Sequence, residues 1–455
     1  MTQTPKIVIA GASGYIGRAV IAPLLAKFPH AEITALSRTK LEHPDPRVTW
    51  RGCDLFSLKS LEAAMPTQVD LALYLVHSMG PTAHLDQGGF ADYDLLLADN
   101  FARALKKTGV QQLIYLTGII PEDTKLSLHL QSRLEAEQTF AQHKMPTTIF
   151  RAGLILGPGG SSSQILLKLV SRLPVMVCPS WTQTLTSPVD LETVLKALCD
   201  AALDTNTFHK VYDLAGCPPL TYVQMMQLTA RAMHKRRQFL SVPFFTPTLS
   251  RLWVSVITGS PKQLVYPLVE SLKHPMVARP SHTWSGAPKY ASYSELIQHV
   301  PLEIEPKRAL FRFRPPGRTV RSVQRLPLPP GRNASWVKDL YISWLPQFFA
   351  PLIKVRVTGT SIFFSVLFSK PVLLELHLSE ERSDPDRQLF YIIRGALVAV
   401  DNRGRLEFRV VLDRQYLIAA IHDYVPALPW FVYKATQARV HLMVMRAFAR
   451  RLRKA

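Results

Sequence analysis

Three glycines, Gly11, Gly14 and Gly17, stand between a short apolar run, Lys6–Ala10 (KIVIA), and a stretch with helical spacing at Val20, Leu24 and Phe28. At a strand-to-helix junction that spacing suits a diphosphate. The first glycine permits a tight turn, the second lets the backbone approach the phosphates, and the third lets the helix pack close to the strand. The helix start adds unpaired amides and a positive dipole end. Ser13, Tyr15 and Ile16, between the glycines, are candidates to touch the same ligand. Strand, spacing and helix agree here, which a bare glycine pattern would not require.

What else the ligand carries is decided after the next expected strand, Glu32–Ser37. A carboxylate there would bind a ribose 2′-hydroxyl. This chain has Arg38 instead. A guanidinium pairs bidentately with a 2′-phosphate, so the expected cofactor is NADPH in preference to NADH. Arg18, just past the third glycine, can assist by the same logic. Asp54 and Leu55, after a further strand-like run, are placed to flank an adenine ring, or Asp54 simply caps a helix.

The elements around these residues alternate. Strands are expected at Lys6–Ala10, Glu32–Ser37, Asp70–Val76, Gln112–Leu116 and Thr147–Ile155, with helices between them, notably Asp94–Lys107. That order implies an α/β fold: a Rossmann-type, doubly wound parallel sheet. Val211–Leu214 is a late strand, and Thr221 an N-cap for the helix to Met233. Residues 1–300 are expected to form this domain, with substrate-side segments from about 160.

Pro301–Asn333 is dense in Pro and Arg and is expected to be a linker. Residues 334–455 then change character, to strand-like runs at Val372–His377, Leu389–Val400, Arg405–Leu412 and Tyr416–His422. Ser361–Leu378 should be two strands and not a membrane span, since Lys370, Pro371, Glu375 and His377 interrupt it. Leu428–Leu452 reads as one long helix. The expectation is a separate α+β domain, an antiparallel sheet with a C-terminal helix in a helix-grip arrangement. Arg405, Glu407 and Arg409 alternate on one strand face, lining a polar cavity or forming a solvated face with cross-strand ion pairs. Trp430, Tyr433, Gln437 and His441 recur at helical spacing, as a core stripe or as the wall of an apolar ligand pocket.

Of a net charge of +21, Lys307–Ala455 contributes +16, from 26 Lys and Arg against 10 Asp and Glu. Such a surface is either ordinarily solvated or in weak contact with an anionic membrane; nothing has the pattern of specific nucleic-acid binding. Four cysteines, Cys53, Cys178, Cys199 and Cys217, lack metal-ligand spacing and suit reduced thiols. With no signal-peptide pattern at the start, a cytoplasmic protein is expected. Its oligomeric state is not readable, no metal is expected, and a small molecule is the expected substrate.

Further motifs carry a resemblance. YLVHSMG (Tyr74–Gly80), IYLTGIIP (Ile114–Pro121), LSLHLQSRLEAE (Leu126–Glu137), FRAGLILGPGG (Phe150–Gly160) and RLPVMVCPSW (Arg172–Trp181) resemble the atypical and extended short-chain dehydrogenases/reductases. The nearer likeness is to NmrA-like, NAD(P)H-binding proteins of the nucleoside-diphosphate-sugar epimerase type. GRLEFRVVL (Gly404–Leu412) and the segment His422–Met445 resemble the C-terminal domain of unknown function appended in a bacterial subgroup of them. The wider family uses a Tyr and a Lys four residues apart on a helix. Here those places hold His129 and Arg133, still able to share a face. The resemblance thus implies His129 as proton donor, Arg133 as ribose clamp, and Thr117 or Ser127 as a hydroxyl orienting a carbonyl. Val76 and His77 would line the cofactor edge. Trp181 would cap the nicotinamide side or fill core. The two functions implied are hydride transfer to a small, fairly apolar carbonyl or alkene, and non-catalytic sensing of NADP(H).

Overall fold

The computed structural model describes residues 4–39, 41–77, 85–122, 125–242, 262–286, 290–304, 319–351, 353–366 and 371–455. The chain divides into two units: residues 1–79 with 100–310, and residues 80–99 with 311–455.

The first unit is built on Lys6–Ala10 (β1), Glu32–Ser37 (β2), Val48–Gly52 (β3), Leu71–Tyr74 (β4), Gln112–Gly118 (β6), Thr147–Ala152 (β7) and Lys210–Leu214 (β12). They form one sheet in the order β12-β7-β6-β4-β1-β2-β3, parallel throughout. A parallel sheet is covered on both faces, so its strands read as unbroken apolar runs and not as alternation. Ile7, Val8, Ile9 and Ala10 are all fully buried. One face packs Ile7 and Ile9 against Val20 and Leu24 of Tyr15–Lys27 (α1) and Val194 and Leu198 of Leu191–Asp200 (α6). On the other, Tyr74 meets Phe101 of Phe90–Lys106 (α3) and Phe140 of Leu128–Gln142 (α4), with ring centroids 5.1 and 5.0 Å apart. The strand order reverses between β1 and β4, which places a crevice at the carboxyl ends of those two strands.

Three short pairings follow: Ile155–Leu156 (β8) with Val189–Asp190 (β11), Val175–Pro179 (β9) with Gln238–Val242 (β14), and Leu185–Thr186 (β10) with Leu220–Thr221 (β13). Helices Ser161–Arg172 (α5), Tyr222–Ala232 (α7) and Tyr293–Gln298 (α9) share an apolar core with them. Thr221 caps α7 as expected, in a full capping box with Gln224. The remaining helices of this unit are Leu58–Ala64 (α2) and Lys262–Ser271 (α8).

The second unit departs from the expected boundaries. The strand Val320–Pro327 (β15) runs through the segment expected to be linker, with Val320, Ser322 and Val323 buried. It pairs antiparallel with Tyr416–Tyr424 (β21) and parallel with Leu85–Gln87 (β5). Proline and arginine content was a poor guide here, because Pro327 falls at the strand's end and Arg321 is buried. By its place in the sequence Leu85–Gln87 is expected in the first domain. It joins the second because a strand edge some 230 residues later accepts it.

The rest of this sheet is antiparallel: Ile353–Thr358 (β16), Ser361–Val366 (β17), Val372–Leu378 (β18), Arg387–Arg394 (β19), Arg405–Val411 (β20) and β21. β19 stops short of Val400 because Gly395, at φ +145°, turns the chain out against the backbone of Leu373. The expected single terminal helix is two, Trp430–Ala435 (α11) and Gln437–Leu452 (α12). Thr436 leaves helical geometry at φ −116°, ψ −85°, and its hydroxyl donates back to the Val432 carbonyl at 2.6 Å. Ala334–Phe349 (α10), capped by Asn333, packs its Tyr341 against Phe408 and Phe448.

The alternating charges of β20 form cross-strand ion pairs, as one reading expected, but Glu407 and Arg409 are buried, and only Arg405, paired with Asp423 at 2.6 Å, is part-exposed. Arg409 is buried, 2.6 Å from Asp99 and 2.5 Å from Glu407; Arg387, its cross-strand neighbour, reaches Glu407 at 2.7 Å. Burial alone would raise the Glu407 carboxyl, but Arg409 and Arg387 outweigh it and hold it below the usual carboxylate range.

Candidate functional site

The glycine loop closes as its spacing demands. Gly11 sits at φ +83°, a conformation that favours glycine, and a Cβ there would lie 2.7 Å from the Leu75 carbonyl oxygen. A Cβ on Gly17 would lie 2.3 Å from the Gly11 carbonyl, so helix and turn touch through bare backbone. Gly14 is the N-cap of α1 and brings no capping side chain. The first amide to bond within the helix is that of Arg18, to Gly14 at 3.1 Å. The amides of Ile16 and Gly17 precede it and point out of the helix end. A cradle of this kind, with a positive dipole end and no room for side chains, fits a dinucleotide diphosphate. The neighbouring residues have other duties. The Ser13 carbonyl accepts from Arg18 Nε at 3.0 Å. The Tyr15 ring lies over the turn at 157–160, where a Cβ on Gly157 or Gly160 would collide with it.

Arg38 is exposed directly after β2, as the sequence implied. Asp54 and Leu55 follow β3, half-buried. Asp54 accepts from the Phe56 amide at 3.1 Å in a local turn, while Ser57 is the N-cap of α2; the Leu55 carbonyl accepts from Asn100 at 2.8 Å. Val76 adjoins Gly11 across the crevice, its amide nitrogen 3.3 Å from where a Gly11 Cβ would stand.

The most connected group lies at the ends of β4 and α4. His77, exposed just beyond β4, stacks on His129 of α4 with ring centroids 5.3 Å apart, and their Nε2 atoms are 3.3 Å apart. His129 Nδ1 is 2.9 Å from the Ser271 hydroxyl of α8, which in turn lies 3.1 Å from the Ser127 hydroxyl. Ser127 also caps α4, accepting from the Leu130 amide. A chain of four polar groups thus leads from the crevice into the core. His129 is 8% exposed; burial, and then the charge of Arg133, pull its pKa down to about 3. At neutral pH it is therefore an uncharged imidazole, not the cationic acid that its position in the motif would suggest. Arg133 is itself buried, one turn along α4, near the buried Tyr115. Thr117, at the end of β6, is buried in the same neighbourhood.

Sequence reading named His77, His129, Arg133, Thr117 and Ser127, and the fold gathers them. It missed Ser271, whose segment reads as ordinary apolar helix and carries no motif. Trp181 belongs to a packed cluster, edge-on to Tyr222 and beside Val265 and Val269. Arg151, at a strand end, is engaged in a buried bidentate pair with Glu137, at 2.9 and 2.6 Å. All four cysteines are buried and unbridged.

Residues 11–163 match a family model described as NAD(P)H-binding. The auxiliary protein GraX of Staphylococcus aureus (strain NCTC 8325 / PS 47) is 33% identical over 116 residues, which is 25% of this chain and 36% of that protein. The chain thus matches about a third of that relative's length. A triphenylmethane reductase from Citrobacter sp., solved with NADP(H), superposes at a TM-score of 0.50 and 17% identity, over 65% of this chain and all of that one. A nucleoside-diphosphate-sugar epimerase from Staphylococcus aureus gives 0.51 and 13%, again over 65% of this chain and all of its own. At those identities the structural likeness is one of fold. Glycine cradle, strand order and matched segment converge: residues 11–163 carry an NAD(P)H-binding domain on a Rossmann-type parallel sheet.

Proposed function

We propose that the first unit is an NADPH-dependent reductase acting on a small, fairly apolar carbonyl or alkene. The observation that carries this reading is the His77–His129–Ser271–Ser127 chain, which starts beside the glycine cradle and runs inward. Gly11, Gly14 and Gly17 would hold the diphosphate and Arg38 the 2′-phosphate, which favours NADPH over NADH. When bound, the cofactor supplies the hydride. His77 stands outermost and is the group that meets the substrate. It hydrogen-bonds the oxygen, or the atom that takes the proton, and gives up one N–H. His129 fixes the His77 ring through the Nε2–Nε2 contact and is itself held by the Ser271 hydroxyl behind, while solvent at the exposed side of His77 replaces the proton given up. His77 gives one proton and takes one back, so neither ring needs to become an imidazolium. That fits a His129 whose cation burial and Arg133 forbid. Arg133 clamps the ribose in this scheme while keeping His129 neutral.

A second reading has its own support. Both nitrogens of His129 are already engaged within the protein, to Ser271 and His77. An imidazole fixed in this way suits a protein that binds NADP(H) and reports on it without consuming it.

One experiment separates them. Absorbance at 340 nm follows NADPH with a panel of ketones, enones and quinones, while fluorescence titration follows binding of NADPH and NADH. The reductase reading expects turnover on part of the panel, lost in His77→Phe and His129→Phe with NADPH affinity kept. Tight NADPH binding with no oxidation across the panel would leave the sensor. Failure to bind either dinucleotide would end both.

A further inference from the structure

The second unit has a cavity of about 190 Å³, half open to the surface, between its sheet and the helices α10, α11 and α12. Phe364, Leu376 and Leu406 wall it from the sheet, and Val444 from α12. No Lys, Arg, Asp or Glu lines it among the described residues, although this part of the chain is strongly basic. Polar atoms gather at one side. The Tyr424 hydroxyl donates to the Leu397 carbonyl and accepts from Gln437 Nε2 at 2.6 Å. His441 Nε2 is 3.1 Å from the Ser322 hydroxyl, and Gln324 Nε2 donates to that hydroxyl at 3.4 Å. In the tautomer where the Ser322 hydroxyl donates to His441 Nε2, Nδ1–H is the ring's remaining donor. Burial lowers the His441 pKa to about 4, so the ring is neutral at pH 7. The buried Gln437 Oε1 has no hydrogen-bond partner among the described residues.

We propose that this cavity is a binding site for a compact, uncharged, mostly apolar molecule carrying one hydroxyl, a phenol or small alcohol. Gln437 Oε1 accepts from the hydroxyl and His441 Nδ1–H donates to its oxygen. An unpaired buried carbonyl costs free energy that such a group recovers. An apolar protein cavity of about 150 Å³ is large enough for benzene, so this one suits a molecule of one to two rings. Carboxylates and phosphates are excluded, since nothing on the wall compensates their charge. The site belongs to the second unit and does not depend on the reading of the first.

The test is calorimetric titration of the full-length protein with 1-naphthol, naphthalene and 1-naphthoate. The expected result is one saturable site for 1-naphthol and none for 1-naphthoate. Gln437→Leu, close in volume, should weaken 1-naphthol about tenfold, the value of one buried hydrogen bond, and leave naphthalene unchanged. Leu376→Trp, filling the cavity, should abolish both; circular dichroism and thermal unfolding confirm that each variant is folded. The proposal is overturned if 1-naphthol does not saturate, if 1-naphthoate binds as well, or if a folded Gln437→Leu binds 1-naphthol like the wild type. The last result would place the naphthol elsewhere on the chain.

Discussion

His129 makes a thermodynamic prediction that can be followed without a substrate. Its pKa is 6.5 when unconstrained and about 3 in the fold, lowered by burial and by Arg133. The folded state therefore holds it neutral in a range where the unfolded chain takes up a proton. A depressed histidine pKa gives stability that is fully present above pH 6.5 and drains away as pH falls toward 3. Linkage sets the size: relative to pH 7.5, the loss is about 2 kcal/mol at pH 5 and about 3 at pH 4. His129→Gln keeps a polar partner for Ser271 and His77 but cannot titrate. Urea unfolding of wild type and variant should be compared between pH 7.5 and 5. The difference between the two isolates His129, because the other buried histidines are common to both. Wild type should lose about 2 kcal/mol relative to the variant on going to pH 5. A difference that stays flat with pH would show that His129 is not held neutral, and the scheme of two uncharged rings would fall with it.

Other consequences are as direct. Gly17→Ala sets a methyl 2.3 Å from the Gly11 carbonyl, so it should force helix and turn apart and abolish NADPH binding, measured by fluorescence titration. Arg38→Ala should weaken NADPH by roughly ten- to a hundredfold, as expected for losing a charge-assisted bidentate pair, and leave NADH unchanged; equal losses for both would remove its role. Arg409→Met takes a buried cation away from Asp99 and leaves Glu407 with Arg387, and should cost the second unit about 3–5 kcal/mol in denaturant unfolding. The basic second unit should co-sediment with anionic vesicles at low salt and release at high salt; binding indifferent to salt would rule out an electrostatic contact.

By itself the sequence determined whatever rests on local backbone chemistry. Gly11, Gly14 and Gly17 at a strand-to-helix junction carry their own steric logic, and β1, β2 and the capping box at Thr221 follow from neighbours a few residues apart. Arg38 was legible for the same reason, since its position is set by the end of a strand. The spacing of His129 and Arg133 predicted a shared helix face. Only tertiary structure decided that His129 meets His77 and Ser271, residues 52 and 142 positions away. It alone decided that burial beside Arg133 strips His129 of its charge. The same limit explains the second unit's boundaries. Leu85–Gln87 joins β15 because that strand edge offers free hydrogen bonds, and no local pattern reveals which distant segment will take them. The alternation of Arg405, Glu407 and Arg409 was visible as one face. Whether that face meets water or the buried Asp99 is settled by what packs against it, which pairwise spacing along a chain does not encode.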